Sequence, residues 1–242
     1  TLDLETWRGE VRATRHRTEF PVPIRGKLDD FSFVGWAGGN STNYYSALIA
    51  KQLQASGMDT FHVGAGAKTL RDTWKVNARR TQYIWRTSAQ YKAEWNGVRQ
   101  PCLTDPEYLA GVREKLLVEA EAGAKYGLPA YGLGDECYYM LLDPRHGDSF
   151  CYSPTCQAGF KQYLQDMYGG IEALNRSWQT DFASWDEFKV ASADDLARGA
   201  PASRGNHWLY TTKVFADAQQ FGVDCIHEID PGAPVGIEGL GM

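Results

Sequence analysis

Short apolar runs, most of them closing on glycine, alternate along this chain with segments whose apolar residues recur every three to four positions. The apolar runs are Phe31–Gly39 (FSFVGWAGG), Thr60–Ala67 (TFHVGAGA), Thr81–Ser88 (TQYIWRTS), Leu128–Gly134 and Ala233–Gly239. Their length, and in all but Thr81–Ser88 a glycine at or near the end, predict buried strands that run into loops. The helical stripes are as regular. Asn43–Ser56 carries Tyr45, Leu48, Ile49 and Leu53 on one face and stops at Gly57, as a helix with a C-terminal glycine does. Thr104 and Glu107 have capping-box spacing with Pro106 between them, which predicts a helix from Thr104 to about Tyr126. Ser153–Asp166, with Phe160, Tyr163, Leu164 and the neighbouring Met167 on one face, predicts a third, and Ile171–Trp178 a short fourth. His207–Ile229 predicts a long helix with Val214, Phe215, Ala218, Phe221, Val223 and Ile226 toward the core. Residues 1–30 are polar and basic without a clear period and read as an arm or linker; residues 31–242 read as one domain.

Strand and helix in this alternation are the signature of a parallel α/β sheet. Five predicted strands fall short of the closed (β/α)8 barrel, so the sheet is either open or a truncated barrel. The run YGLGDE places two acids, Asp135 and Glu136, just beyond the fourth strand. Barrels of this class put their chemistry at the carboxyl ends of strands. An acid there is a catalytic candidate; the alternative is an ordinary loop acid that caps the following segment.

Composition narrows the partner. The 242 residues carry a net charge of −5, which argues against nucleic acid and anionic membranes. Aromatics make up 13% of the chain, with 8 Trp and 13 Tyr, enough for sugar-stacking surfaces or simply for a large core. No apolar run approaches the roughly 18 to 20 residues that span a bilayer. The polar start shows no leader, and five cysteines cannot all pair within one chain. These two features favour the cytoplasm over a fully bridged secreted fold.

From Tyr131 to Phe188 the order GDE, CYSPTC, QAGFKQYL and YGGIEALNRSWQT resembles glycoside hydrolase family 42, the β-galactosidases of a large retaining clan of (β/α)8 barrels. The likeness is close over about 60 residues and looser from the first strand onward. It implies a barrel of which this chain holds the first five or so β/α units. It also implies a retaining exo-β-glycosidase whose substrate is a β-glycoside or oligosaccharide. A second copy of the chain is a further candidate partner. The rival reading is a carbohydrate-binding or scaffold barrel that has lost catalysis.

Residue by residue, the resemblance makes Glu136 the general acid/base, protonated when it meets the glycosidic oxygen and ionised when it activates water. Asp135 stands where the family has Asn. It accepts hydrogen bonds where an amide would donate to the sugar, and it sets a second negative charge beside Glu136. Cys151 and Cys156 match the outer cysteines of a zinc-binding CxCxxC, Ser153 replaces the middle one, and Cys102 matches a cysteine from an earlier loop. Three of four zinc ligands are thus kept, with His146 or Cys137 open as the fourth. The alternatives are a lost site or a Cys151–Cys156 disulfide. Cys225 reads as a buried thiol. A retaining enzyme needs a second carboxylate, expected beyond Met242, with Glu238 expected to line the site. Trp36 and Trp85, near predicted strand ends, are candidate sugar platforms. Trp178 and Trp185 are expected to pack the region after the cysteines.

Overall fold

The computed structural model describes residues 2–18, 34–36, 51–58, 60–63, 66, 70–71, 74, 79–86, 97–135, 137 and 150–238. In the first of these segments, within the expected arm or linker, β1 (Leu2–Arg8) and β2 (Val11–Thr18) form an antiparallel hairpin. Its turn, Gly9-Glu10, has Gly9 at a positive φ of 62°, as a tight hairpin turn requires. Charge pairs rather than apolar alternation hold the two strands. Arg17 grips both carboxylate oxygens of Asp3 at 2.8 and 2.7 Å, and Arg12 reaches Glu5 at 3.2 Å.

Strands follow near all five predicted places as β3 (Val34–Trp36), β4 (Thr60–Val63), β5 (Arg79–Gln82), β6 (Tyr131–Asp135) and β7 (Val235–Glu238), but β5 lies earlier than predicted and shares only Thr81 and Gln82 with the Thr81–Ser88 run. Strands β3, β4 and β5 lie side by side and parallel. β6 is the neighbour of β7. Tyr131 N–H, opening β6, donates to Pro234 O just before β7 at 2.9 Å, so these two strands start together and run the same way. Beyond β5, Ile84 N–H donates to Gly132 O at 2.9 Å and carries the chain on beside β6.

Residues 51–55 are helical; the start of that predicted helix, 43–50, lies outside the described residues. Helix α1 spans Pro106–Tyr126. Its first turn departs from expectation: Asp105 Oδ1 accepts from Glu107 N–H at 3.0 Å, and Thr104 is used elsewhere. Helices α2 (Pro154–Tyr168) and α3 (Ile171–Trp178) follow where the stripes predict them. Two pieces were not foreseen. Six residues form α4 (Ala193–Arg198), held by a reciprocal Ser192–Asp195 capping box, and α5 begins at Pro201 and runs to Ile229.

The chain divides into two compact units. One comprises Thr1–Tyr83, Val118–Tyr131 and Ile229–Pro234; the other comprises Ile84–Leu117, Gly132–Glu228 and Val235–Met242. In the first unit Tyr131 is a tie point. Its hydroxyl donates to Ala120 O at 3.1 Å and also lies 3.0 Å from Asp230 Oδ2. Gly123 leaves room for the ring, since a Cβ there would lie 2.5 Å from it. In the second unit Phe160 of α2 sits inside a ring of aromatics, with His207 at 4.4 Å, Phe150 at 5.0 Å and Tyr210 at 5.2 Å between centroids. Trp178 closes this core and donates to Asn206 Oδ1 at 2.8 Å, while Trp185 donates to Gly169 O. Both tryptophans pack the region after the cysteines, as expected. No helix among the described residues is long and apolar enough to cross a membrane.

Candidate active site and cysteine cluster

β6 delivers Asp135 to a strand end. Tyr131 and Leu133 are buried, and Leu133 packs with Trp85 against Gly222 of α5. Asp135, half-buried, is the last residue of the strand; Glu136 lies outside the described residues. Just before Asp135, Gly134 has no room for a side chain. A Cβ there would lie 2.6 Å from Trp85 O, 2.9 Å from Arg86 Cα and 2.9 Å from Cys137 Sγ. Two of the three obstacles are backbone and cannot rotate aside. Gly134→Ala is therefore expected to cost roughly 1–3 kcal/mol, as overpacking does, read from the midpoint of denaturant unfolding. An unchanged midpoint would mean that this strand end is looser than drawn.

The other candidates fall in different surroundings. Glu238 is exposed and ends β7, the parallel neighbour of β6, so it leaves the sheet at the same end as Asp135. Trp36 ends β3, but its side chain lies outside the described residues. Trp85 corrects the expectation of a sugar platform. Its indole is 5% exposed, meets Phe221 edge-on at 6.4 Å and donates to the Tyr108 hydroxyl at 3.1 Å. The ring is used as core. A residue that the sequence reading passed over is His62. Register sets it level with Trp36 on β3 and Thr81 on β5. Its Nδ1 lies 3.0 Å from Thr81 Oγ1, and its ring lies 3.8 Å from that of Tyr83. A polar residue at the carboxyl half of a short strand was the available signal.

The cysteines expected as metal ligands come together. Cys102, Cys151 and Cys156 are buried, with all three Sγ atoms within 4.8 Å of one another. Cys102 Sγ lies 3.8 Å from Cys156 Sγ and 3.9 Å from Cys151 Sγ. All five cysteines of the chain are unbridged, so the alternative of a Cys151–Cys156 disulfide is not formed. Local structure explains the approach. Ser153 caps α2, its hydroxyl accepting from Cys156 N–H at 3.1 Å, which turns Cys156 inward on the first turn. Arg99 N–H donates to Cys151 Sγ at 3.4 Å. Thr104, released from helix capping, puts its hydroxyl 3.1 Å from Cys156 Sγ and 3.3 Å from Cys102 Sγ.

Hydrogen bonds from Cys151 and Cys156, then from Ser153 and Thr104, hold the Cys102 thiol far below its ordinary range. The Cys156 thiol is pushed up, first by its hydrogen bonds to Cys102 and Cys151 and then by burial. Cys137 is not a member of the group; it sits against Gly134. His146, the other candidate fourth ligand, lies outside the described residues. Cys225 is buried on α5, and that burial pushes its thiol up, as expected of a packing residue.

Comparison with known proteins bears on this arrangement. Residues 84–239 match the sequence pattern of the glycoside hydrolase 42 family, described as β-galactosidase. The chain belongs to this family. The matched stretch takes in Asp135, Glu136, the three clustered cysteines and Glu238. β-Galactosidase BgaA of a Thermus species is 36% identical over 95 residues, which are 38% of this chain and 14% of that protein. β-Galactosidase LacZ of Heyndrickxia coagulans is 48% identical over 44 residues, 16% of this chain and 7% of that protein. The crystal structure of a β-galactosidase from Bacillus circulans sp. alkalophilus superposes with a TM-score of 0.60 at 14% identity, over 85% of this chain and 36% of that one. The fold is therefore the α/β fold of these glycosidases, and the chain spans only a minor part of the relatives' length.

Proposed function

We propose that this chain is part of a retaining exo-β-glycosidase that removes terminal β-linked sugars, with β-galactosides as the leading substrates. The observation that carries the reading is the acidic pair at the end of β6, inside the segment that matches the family. Glu136 is assigned as general acid and then general base. Asp135 and Glu238, which end parallel neighbouring strands, are assigned to hydroxyl groups of the bound sugar, and Trp36 is assigned to stack on a sugar face. The nucleophilic carboxylate is assigned to a part of the protein that this chain does not span. The parallel β3–β4–β5 sheet and the β6–β7 pair support a (β/α)8 barrel of which these are the early strands. The test is the full-length protein assayed on aryl β-galactoside, β-glucoside, β-fucoside and β-mannoside, with the anomer of the released sugar followed. Release with retention is expected; no release from any of the four would overturn the reading.

A structural zinc belongs to the same proposal. Zinc–thiolate bonds of about 2.3 Å set tetrahedral sulfur edges of about 3.8 Å, and the separations of 3.8 and 3.9 Å around Cys102 fit them. Cys102, Cys151 and Cys156 would hold the ion, which when bound ties the loop before α1 to the start of α2. It supplies cross-linking and no step of the reaction. Chelation is expected to lower stability by about 2.7 kcal/mol where free zinc exceeds its Kd a hundredfold. Each kcal/mol moves Tm by roughly 2–4 °C in a chain of this size. A Tm indifferent to both chelator and added zinc would sink the proposal.

A further inference from the structure

The three sulfurs are not surrounded evenly. On one side stand three hydroxyl oxygens. Thr104 Oγ1 and Thr155 Oγ1 are 2.8 Å apart, and Ser153 Oγ lies 3.2 Å from Thr155 Oγ1. Each touches a sulfur: Thr104 reaches Cys102 and Cys156, Ser153 reaches Cys102 at 3.2 Å, and Thr155 reaches Cys102 at 3.7 Å. This oxygen face is also the solvent side. The cysteines and Ser153 are buried, Thr104 is half-buried, and Thr155 is exposed at the first turn of α2. Ser153, which occupies the place of the fourth cysteine, already spends its oxygen on the Cys156 N–H at 3.1 Å. Using that oxygen as a metal ligand would compete with the cap that orients Cys156, at a cost of about 1 kcal/mol for a lost N-cap.

We propose that a metal held by Cys102, Cys151 and Cys156 takes an exchangeable water as its fourth ligand, seated on the Thr104 and Thr155 hydroxyls. This rests on the zinc reading above. It makes the cluster a three-sulfur, one-oxygen site that accepts a small soft ligand from solution, where a four-cysteine site is closed. The hydroxyls suit the task. With the two oxygens 2.8 Å apart, one hydroxyl donates to the other and the second donates to a thiolate, and each oxygen keeps a lone pair to accept from a water. A small thiol entering the site gives its proton to solvent and displaces the water, so that nothing is oxidised.

Cobalt(II) is the probe, because its visible spectrum counts sulfur ligands. The full chain is loaded with cobalt, the bound metal is quantified in each sample, and 2-mercaptoethanol is titrated in. The thiolate-to-cobalt charge-transfer band is expected to grow by about a third as three Co–S bonds become four, and the ligand-field bands are expected to move to lower energy. Ser153→Cys should show the thiol-loaded spectrum without added thiol and should ignore the titration. Should that variant fail to fold, the titration of the unaltered chain still decides. Bound cobalt whose spectrum the thiol leaves unmoved overturns the exchangeable ligand while leaving the metal site standing. Less than one tenth of an equivalent bound overturns the metal site itself.

Discussion

Glu136→Gln should cut the hydrolysis of alkyl β-glycosides by the full-length protein by about a hundred- to ten-thousandfold. The range is that of a lost general acid/base, and the argument is chemical. An alkoxide is a poor leaving group unless protonated as the bond breaks, and an amide cannot protonate it. Aryl glycosides with acidic phenols need little help in that step and should lose much less in forming the glycosyl-enzyme. Their turnover should then stall at hydrolysis of the intermediate, where the same carboxylate activates water. Azide, which needs no deprotonation, should rescue that second step. The signature is therefore a large loss on alkyl substrates, a burst on activated aryl substrates and rescue by azide. A variant that cleaves alkyl glycosides at the unaltered rate would remove Glu136 from the acid/base role. Because Gly134 and Asp135 hold the preceding strand end, the Gln variant should keep its unfolding midpoint, which separates lost chemistry from lost fold.

Phe160→Ala carries the largest expected stability effect, about 3–5 kcal/mol. The side chain is fully buried on α2. His207, Phe150, Tyr210, Trp178 and Phe188 surround it at centroid distances from 4.4 to 6.4 Å. These rings hold one another and cannot collapse into the cavity, so both the transfer loss and the cavity loss apply. A domain with a total stability of about 5–15 kcal/mol would then be close to unfolding at its working temperature. The check is denaturant unfolding with Phe160→Leu alongside, which should recover most of the loss. A cost below about 1 kcal/mol would show that this aromatic core is not as closely packed as the structure draws it.

Periodicity alone determined much of the architecture. Short apolar runs, most of them with glycine ends, pointed to five strands, and stripes at helical spacing located α2 and α3, because burial leaves that imprint on any sequence. The acidic pair was legible for the same reason: it follows an apolar run directly. Elements without an apolar stripe were not legible. The β1–β2 hairpin is held by pairs such as Asp3 with Arg17, 14 positions apart, and cross-strand charge pairing has no local period. α4 has only six residues, too few for a stripe, and rests on the Ser192–Asp195 cap. Tertiary structure decided the rest. Thr104 and Asp105 are both sound helix caps, and the choice of Asp105 follows from the Thr104 hydroxyl being drawn to Cys102 and Cys156. Trp85 ends an apolar run as a sugar platform would, yet Gly222 opens a place for it under α5. Cysteines 49 and 54 positions apart became neighbours only because the loop before α1 and the first turn of α2 pack together. Spacing along a chain sets which groups could meet, but packing sets which of them do.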